Sequence, residues 1–154
     1  MFKSEREMQD IFVSLLKKRK TCGLIFEEVG NRNFFFRTDV VEYKDRNNIV
    51  GYELKLKDFN KLIEQCLKTM RLYNKTYMVI PENKLDSLLL AIEHYKNKNI
   101  NKVGIITLNN EKRQIVKQAS DTRDYSDGYV CTLVSDLIIR GYHKDGINCC
   151  KSYK

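Results

Sequence analysis

Two carboxylates and one lysine in the segment 37–57 have the types and spacing that metal-dependent hydrolysis needs. Asp39 and Glu53 are fourteen positions apart, and Lys55 follows two positions after Glu53. β-Branched and aromatic residues flank a polar turn at 45–48, which predicts a hairpin that brings positions so spaced side by side. Mg²⁺ prefers oxygen ligands, usually one or two carboxylates, and leaves its other positions to water and substrate phosphate. The ammonium of Lys55 could then polarise an attacking water or offset charge on a phosphate, so phosphodiester hydrolysis is the chemistry indicated.

Alternation along the second strand of this hairpin supports the same interpretation. Side chains at every second position point to one face of a strand, so the charged and apolar residues separate. The charged face is Glu53, Lys55 and Lys57, and the apolar face is Tyr52, Leu54 and Leu56. A core strand would fill both faces with apolar groups, so a charged face favours a functional role.

A first helix is predicted from Ser4 to Lys20. Ser4 and Glu7 form a capping-box pattern, and an apolar stripe follows at helical spacing. Glu5 lies closer to the centre of that stripe than Glu7, which predicts that Glu5 points towards the protein and Glu7 towards water. By spacing alone, a first-turn acid that favours the helix dipole is the preferred interpretation of Glu5.

The remaining pattern predicts an α/β fold in one domain, residues 1–142, followed by a basic, flexible tail, residues 143–154. Strands are predicted at 24–29, from Phe34 through Asp39, at 49–57, 76–80, 103–108 and 113–116, and helices at 58–73, 85–95 and 127–140. The order is an α-β-β-β-α-β core with a C-terminal α-β-β-α extension. We therefore expect a mixed central sheet flanked by helices.

The helix predicted at 58–73 has basic residues opposite its apolar side. Lys61, Lys68 and Arg71 share that side, and with Arg37 and Lys57 they are the candidates for phosphate contact. A charged stripe is often only a solvated face, and that alternative stays open. Gln65 lies at the margin of the apolar stripe, where an exposed helix former and a site residue are both compatible with the spacing.

The combination of Asp39 with Glu53-Leu54-Lys55 resembles the signature of the PD-(D/E)xK nuclease superfamily, which includes restriction endonucleases, Holliday-junction resolvases and DNA-repair nucleases. The predicted first helix resembles that of the small archaeal-type resolvases, in which an early Glu, here Glu5, joins the metal site. Gln65 stands where several branches carry a functional Gln. The resemblance covers about residues 4 to 81.

Two departures from the family pattern are visible. Thr38 replaces the Pro of the signature, which leaves the metal ligands untouched. Thr69 stands four residues after Gln65, where a QxxxY subgroup would have Tyr.

The resemblance implies a restriction-endonuclease-like fold and a mechanism. Asp39, Glu53 and the carbonyl of Leu54 would hold Mg²⁺ or Mn²⁺, with Glu5 completing the shell and Lys55 orienting the attacking water. Gln65 would be a further catalytic residue. The products would carry 5′-phosphate and 3′-hydroxyl ends.

The overall charge is consistent with a polyanionic partner. Lys and Arg outnumber Asp and Glu by 28 to 20, which gives a net charge of +8 and a pI near 9.2. Nucleic acid, with DNA favoured, is the partner predicted, although a biased genome composition would give the same excess. The chain could act as a homodimer. A Gly-rich phosphate loop is absent from the sequence, so no nucleotide cofactor is expected.

Location and redox state follow from the cysteines and the N-terminus. The five cysteines show no CxxC spacing, and the first ten residues are charged where a signal peptide would be apolar. No run of 18 apolar residues occurs, so a cytoplasmic protein without a membrane segment is expected.

The alternative function is a catalytically silent nuclease-fold module that binds nucleic acid or a protein partner. The intact acids and lysine argue against it.

Overall fold

The computed structural model describes residues 2–31 and 36–123, which form a six-stranded sheet with helices on both faces. Three helices and six strands lie in this part of the chain: α1 Glu5–Lys17, β1 Leu24–Asn31, β2 Phe36–Asp45, β3 Asn48–Leu54, α2 Phe59–Thr69, β4 Lys75–Pro81, α3 Leu85–His94, β5 Gly104–Leu108 and β6 Arg113–Lys117. Short 3₁₀ segments follow α2, β4 and α3, at Met70–Leu72, Glu82–Lys84 and Lys98–Lys102. Phe34, the helix predicted at 127–140 and the tail at 143–154 lie outside the described residues.

The strands lie in the sheet in the order of the sequence, from β1 to β6. The pairs β1/β2 and β2/β3 are antiparallel, β3/β4 and β4/β5 are parallel, and β5/β6 is antiparallel. Helices α2 and α3 make the crossovers that the two parallel pairs require. The predicted α/β class, the mixed sheet and the order of elements are therefore confirmed over the described residues.

Helix α1 begins as its capping pattern predicts and covers one face of the sheet. The Ser4 side chain accepts a hydrogen bond from the backbone N–H of Glu7 at 3.1 Å, which satisfies one of the free donors of the first turn. The helix ends at Lys17, earlier than predicted. Its buried stripe and the facing side chains of the sheet form one core cluster, which includes Met8, Phe12, Leu16, Val40, Tyr52, Leu54 and Val79.

Helices α2 and α3 cover the opposite face. Asp58 precedes α2 in a left-handed conformation (φ 64°), and its carboxylate accepts a hydrogen bond from the N–H of Lys61. The second core cluster contains Phe59, Leu62, Ile63, Cys66, Met78, Ile80, Leu88 and Ile105. Successive residues of β4 alternate between the two clusters, so this strand is buried on both faces of the sheet. None of the helices in residues 2–31 and 36–123 has the length and hydropathy of a membrane span.

The prediction that the second strand continues to Lys57 is wrong. β3 ends at Leu54, and only the hydrogen bond from the N–H of Lys55 to the carbonyl of Val79 continues the pairing with β4. The left-handed backbone of Asp58 turns the chain into α2, and Lys57 is exposed in that connection. The apolar face is confirmed, since Tyr52, Leu54 and Leu56 all pack in the cluster beneath α1.

A buried glutamate links the end of α1 to the sheet at the hairpin's other end. Glu42 is fully buried in β2, and its carboxylate accepts hydrogen bonds from the Arg19 guanidinium, the Gly23 N–H and the Tyr52 hydroxyl. Burial alone would raise the pKa of Glu42, but these donors and the Arg19 charge hold that pKa below its usual range. Glu42 is therefore a buried charge with its partners in place.

Gly51 offers a test of the packing between β3 and the chain after α2. A Cβ at this position would collide with the ring of Tyr73, which is almost fully buried. We expect Gly51→Ala to lower the free energy of unfolding by about 1–3 kcal/mol, because the ring has no room to move. Urea denaturation followed by circular dichroism measures this.

The matched control for Gly51→Ala is Gly30→Ala. Gly30 also lies in a strand, but a Cβ there meets no atom within 4 Å. Equal stability losses in the two variants would contradict the packing argument.

Candidate active site

The two predicted carboxylates meet where β2 and β3 separate. The last regular pair before this point is Val40 with Tyr52, and the same register places Asp39 opposite Glu53. In place of a backbone ladder, the N–H of Leu54 donates to Asp39 Oδ2 at 2.9 Å and the N–H of Asp39 donates to Glu53 Oε1 at 3.3 Å. The acids are therefore side by side.

Glu53 is an under-satisfied buried acid. Its side chain has no exposed surface, and within the described part of the chain its Oε2 has no hydrogen-bond partner. Burial raises the pKa of Glu53 well above its usual value, and the neighbouring charge of Asp39 raises it further. A bound cation would relieve both effects.

Asp39 has a perturbed pKa for the same reasons. Burial raises the pKa of Asp39 to about 6, although the hydrogen bond from Leu54 opposes this change. The charges of Glu28 and Glu5 raise the pKa of Asp39 further, and that of Lys55 lowers it. A carboxyl whose pKa is raised this far by burial and neighbouring acids is typical of functional sites.

Lys55 pairs with Glu5 of α1, and its positive charge acts on both Asp39 and Glu53. Its ammonium Nζ lies 3.6 Å from Glu5 Oε1, and its side chain is 16% exposed. Glu5 is 44% exposed and therefore not buried, but its carboxylate is directed at Lys55, and its charge acts on Asp39, as the predicted inward direction requires. Glu7, which was predicted to point towards water, is half-buried, and its carboxylate accepts a hydrogen bond from the N–H of Lys3 at 2.6 Å.

A pocket of about 370 Å³ opens beside Asp39, between β2 and α2. Its lining consists of Arg37, Asp39, Lys61, Glu64, Gln65, Lys68 and Thr69. The residues from α2 recur at intervals of three and four, so they form one stripe along that helix. Three of the five predicted phosphate-binding residues, Arg37, Lys61 and Lys68, therefore share a pocket with Asp39.

Gln65 lies in this pocket with an unused acceptor. Its Oε1 atom is buried and, among the residues that the structure describes, has no donor. The site role that spacing left open for Gln65 therefore gains a structural reason, because a buried acceptor without a partner costs free energy.

The other two predicted phosphate-binding residues lie elsewhere. Arg71 lines a second pocket of about 560 Å³, together with Lys102 and Arg123. Lys57 is exposed after β3 and lines neither pocket. The five cations thus do not form one surface.

Two residues near the acids were not identified from the sequence. Glu28 has a positive φ of 53°, lies opposite Asp39 in the β1/β2 register, and is 3.8 Å from Arg37. Gln9 is buried, and its amide donates to Glu27 Oε1 at 3.1 Å and to the carbonyl of Asp39 at 3.5 Å. Gln9 follows Glu5 by one helical turn, a signal that could have indicated it, whereas Glu28 requires knowledge of the register.

The donor set at the acids fits a hard divalent cation. In residues 2–31 and 36–123, no three or more His, Cys, Asp or Glu side chains are grouped to hold a metal ion. Asp39 and Glu53 supply two carboxylates, which is the number that Mg²⁺ usually takes from a protein. The unpartnered Glu53 Oε2 is an oxygen available to such an ion. The residues present therefore fit Mg²⁺ or Mn²⁺ with further positions left to water or substrate.

Comparisons with known proteins identify relatives without an assigned activity. No family model matches the chain. It is 29% identical over 138 residues to the uncharacterized protein MJ0165 of Methanocaldococcus jannaschii, covering 77% of this chain and 54% of that protein. The chain thus spans about half the length of this curated relative.

A solved structure has a similar fold. It is the SPO1766 protein of unknown function from Silicibacter pomeroyi, with a TM-score of 0.59 and 14% sequence identity over 78% of this chain and 75% of that one. At this identity the likeness concerns the fold alone. The function must therefore be argued from the site.

The acids predict an unusual dependence of stability on pH in the absence of metal. A folded-state pKa of about 6 for Asp39 means that the folded protein holds a proton that the unfolded chain has lost. Stability should therefore fall as the pH rises from about 4 through 6. In EDTA at pH 8, we expect Asp39→Asn and Glu53→Gln to raise the free energy of unfolding, for Asp39 by about 3 kcal/mol, and the gain to vanish below about pH 4. Urea denaturation at both pH values measures this.

Glu42→Gln is the control for these substitutions. Glu42 is equally buried but its donors stabilise the charged form, so its loss should destabilise the protein at pH 8. If Asp39→Asn and Glu53→Gln destabilise as Glu42→Gln does, the proposed repulsion at the site is wrong.

Proposed function

We propose that this protein is a metal-dependent nuclease of the PD-(D/E)xK type, which hydrolyses phosphodiester bonds of nucleic acid, with DNA as the favoured substrate. Repair, recombination, mobile-element or defence processes are the setting that this proposal favours. The observation that carries the proposal is the fully buried Glu53 beside Asp39, with one oxygen that has no hydrogen-bond partner among the described residues. A purely structural acid would have its donors, as Glu42 does.

The surroundings of the acids support the same proposal. Lys55 lies at the end of the strand that carries Glu53, and the pocket beside Asp39 has three cations on its walls. Cations near a hydrolytic site are what a polyanionic substrate requires. The mixed sheet with its α-β-β-β-α-β order is the architecture that the resemblance implies. The restriction-endonuclease-like assignment, like the cytoplasmic location, is part of this proposal.

In the proposed mechanism, Asp39, Glu53 and the carbonyl of Leu54 would hold Mg²⁺ or Mn²⁺. When bound, such an ion would lower the pKa of a water molecule that it binds and neutralise negative charge on a phosphate. The ammonium of Lys55 orients the attacking water or donates a hydrogen bond to a phosphate oxygen. Glu5, at 3.6 Å, keeps this ammonium at the site. Arg37 and Lys68 hold the flanking phosphates.

A second candidate, a module that binds nucleic acid or a protein without cleavage, rests on one specific contact set. Asp39 and Glu53 already accept backbone N–H groups at the end of the β2/β3 ladder. That structural task would preserve both acids without catalysis. Cleavage assays separate the two candidates.

Lys55→Ala tests the catalytic proposal. We expect Mg²⁺- or Mn²⁺-dependent scission of labelled duplex, branched and single-stranded DNA by the wild type, and a loss of about 10²- to 10³-fold in rate in Lys55→Ala, because one preorganised cation is removed. Binding in Ca²⁺ should change little. The control is Lys44→Ala, at an exposed lysine near the other end of β2, which should cleave at the wild-type rate.

Two results would contradict this prediction. Equal cleavage by wild type and Lys55→Ala would exclude Lys55 from catalysis. No cleavage of any substrate by the wild type would favour the binding module.

The pocket cations predict a graded effect of salt. We expect Lys61→Gln with Lys68→Gln to flatten the salt dependence of duplex DNA affinity by about 0.9 in log-log slope per lost phosphate contact. Arg71→Gln, in the second pocket, is the matched control and should leave the slope unchanged. Equal slopes for all these proteins would assign Lys61 and Lys68 to a solvated face.

A further inference from the structure

The pocket beside Asp39 combines two chemistries that a phosphate alone does not satisfy. Arg37, Lys61 and Lys68 provide positive charge on its walls. Among the residues that the structure describes, Gln65 Oε1 is a buried acceptor without a donor, and Asp39 and Glu64 add carboxylate oxygens. A ligand that matches this pocket must carry both a negative group and a hydrogen-bond donor.

The backbone of a duplex lacks the second of these features. Phosphate diesters only accept hydrogen bonds, and in a duplex the Watson–Crick donors of the bases are already paired. An unpaired nucleotide exposes the amino or imino N–H groups of its base, and it keeps its phosphate. Unpaired bases are commonly recognised in this way, by hydrogen bonds to their free edges.

The dimensions of the pocket agree with a single nucleotide. Its volume of about 370 Å³ lies at the lower end of the range for small-molecule sites. Lys61 and Lys68 are seven residues apart on α2, about 10 Å along the helix axis, so they flank Gln65 on both sides. Within residues 2–31 and 36–123, no aromatic side chain lines the pocket, so these residues would hold the base by hydrogen bonds and not by stacking.

We propose that this pocket binds one unpaired nucleotide, with its phosphate against the cations and a donor of its base on Gln65 Oε1. The inference rests on the proposed function and adds the substrate class, which is single-stranded or locally unpaired nucleic acid. The strand would then pass Asp39 with the nucleotide next to the reacting phosphate in the pocket.

The experiment compares strands with and without bases. Fluorescence anisotropy in EDTA measures the affinity of wild type for a labelled single-stranded oligonucleotide, for its duplex, and for an abasic strand with the same phosphates. We expect the single strand to bind about tenfold more tightly than the abasic strand, since the base contributes a hydrogen bond to a buried acceptor. The duplex should bind more weakly than the single strand.

Gln65→Leu identifies the acceptor. This substitution keeps the size of the side chain and removes its oxygen, so it should weaken binding of the single strand about tenfold and leave binding of the abasic strand unchanged. The matched control, Gln114→Leu, lies on the exposed face of β6 and should bind all three as the wild type does. Equal affinity of the wild type for the single strand and the duplex would overturn the proposal. So would an equal loss of affinity in Gln65→Leu for the base-containing strand and the abasic strand.

These binding measurements are independent of cleavage. Cleavage of duplex DNA with no preference for unpaired strands would refute only this inference. Gln65-dependent binding of single strands without cleavage on any substrate would refute only the proposed nuclease activity.

Discussion

The unfavourable proximity of two carboxylates, Asp39 and Glu53, is the constraint on which the site depends. Both acids are drawn to the end of the β2/β3 ladder, where they accept the N–H groups of Leu54 and Asp39. These bonds fix the position of the acids without neutralising them, and burial keeps the pKa of each above its usual value. A cation that binds at these two acids would therefore stabilise the folded protein.

A comparison of Glu42 with Glu53 shows that this sheet can bury a glutamate with all of its hydrogen-bond donors in place. Both glutamates are fully buried in the same hairpin. Glu42 has a guanidinium, a hydroxyl and a backbone N–H around it, whereas one oxygen of Glu53 has no donor in the described part of the chain. The buried charge is thus fully compensated at the Glu42 end of the hairpin and only partly compensated at the Glu53 end. Natural proteins tolerate such local conflict mainly where function requires it.

Short-range patterns in the sequence predicted the parts of the site that lie on one hairpin. Alternation and a polar turn were sufficient to place Asp39 beside Glu53 and to put Leu54 on the apolar side. The end of β3 could not be predicted, because it depends on the left-handed backbone of Asp58. The pairing of Glu5 with Lys55 joins α1 to the residue after β3, and no pattern within either segment predicts it. The pocket joins Arg37 to α2 through packing between distant segments, which no periodicity encodes.

The turn between β2 and β3 acquires a role in the site although it lies far from it. It joins the strands at Asp45 and Asn48, six residues or about 20 Å along the strand from Asp39, and the pairing is irregular between Tyr43 and Asp45. A slip of one residue in an antiparallel pair transfers every side chain of one strand to the opposite face. The loop length and the irregularity at Asp45 therefore set the register of the strands at the distant site. This register determines whether the Asp39 side chain lies beside Glu53 or on the sheet face covered by α1.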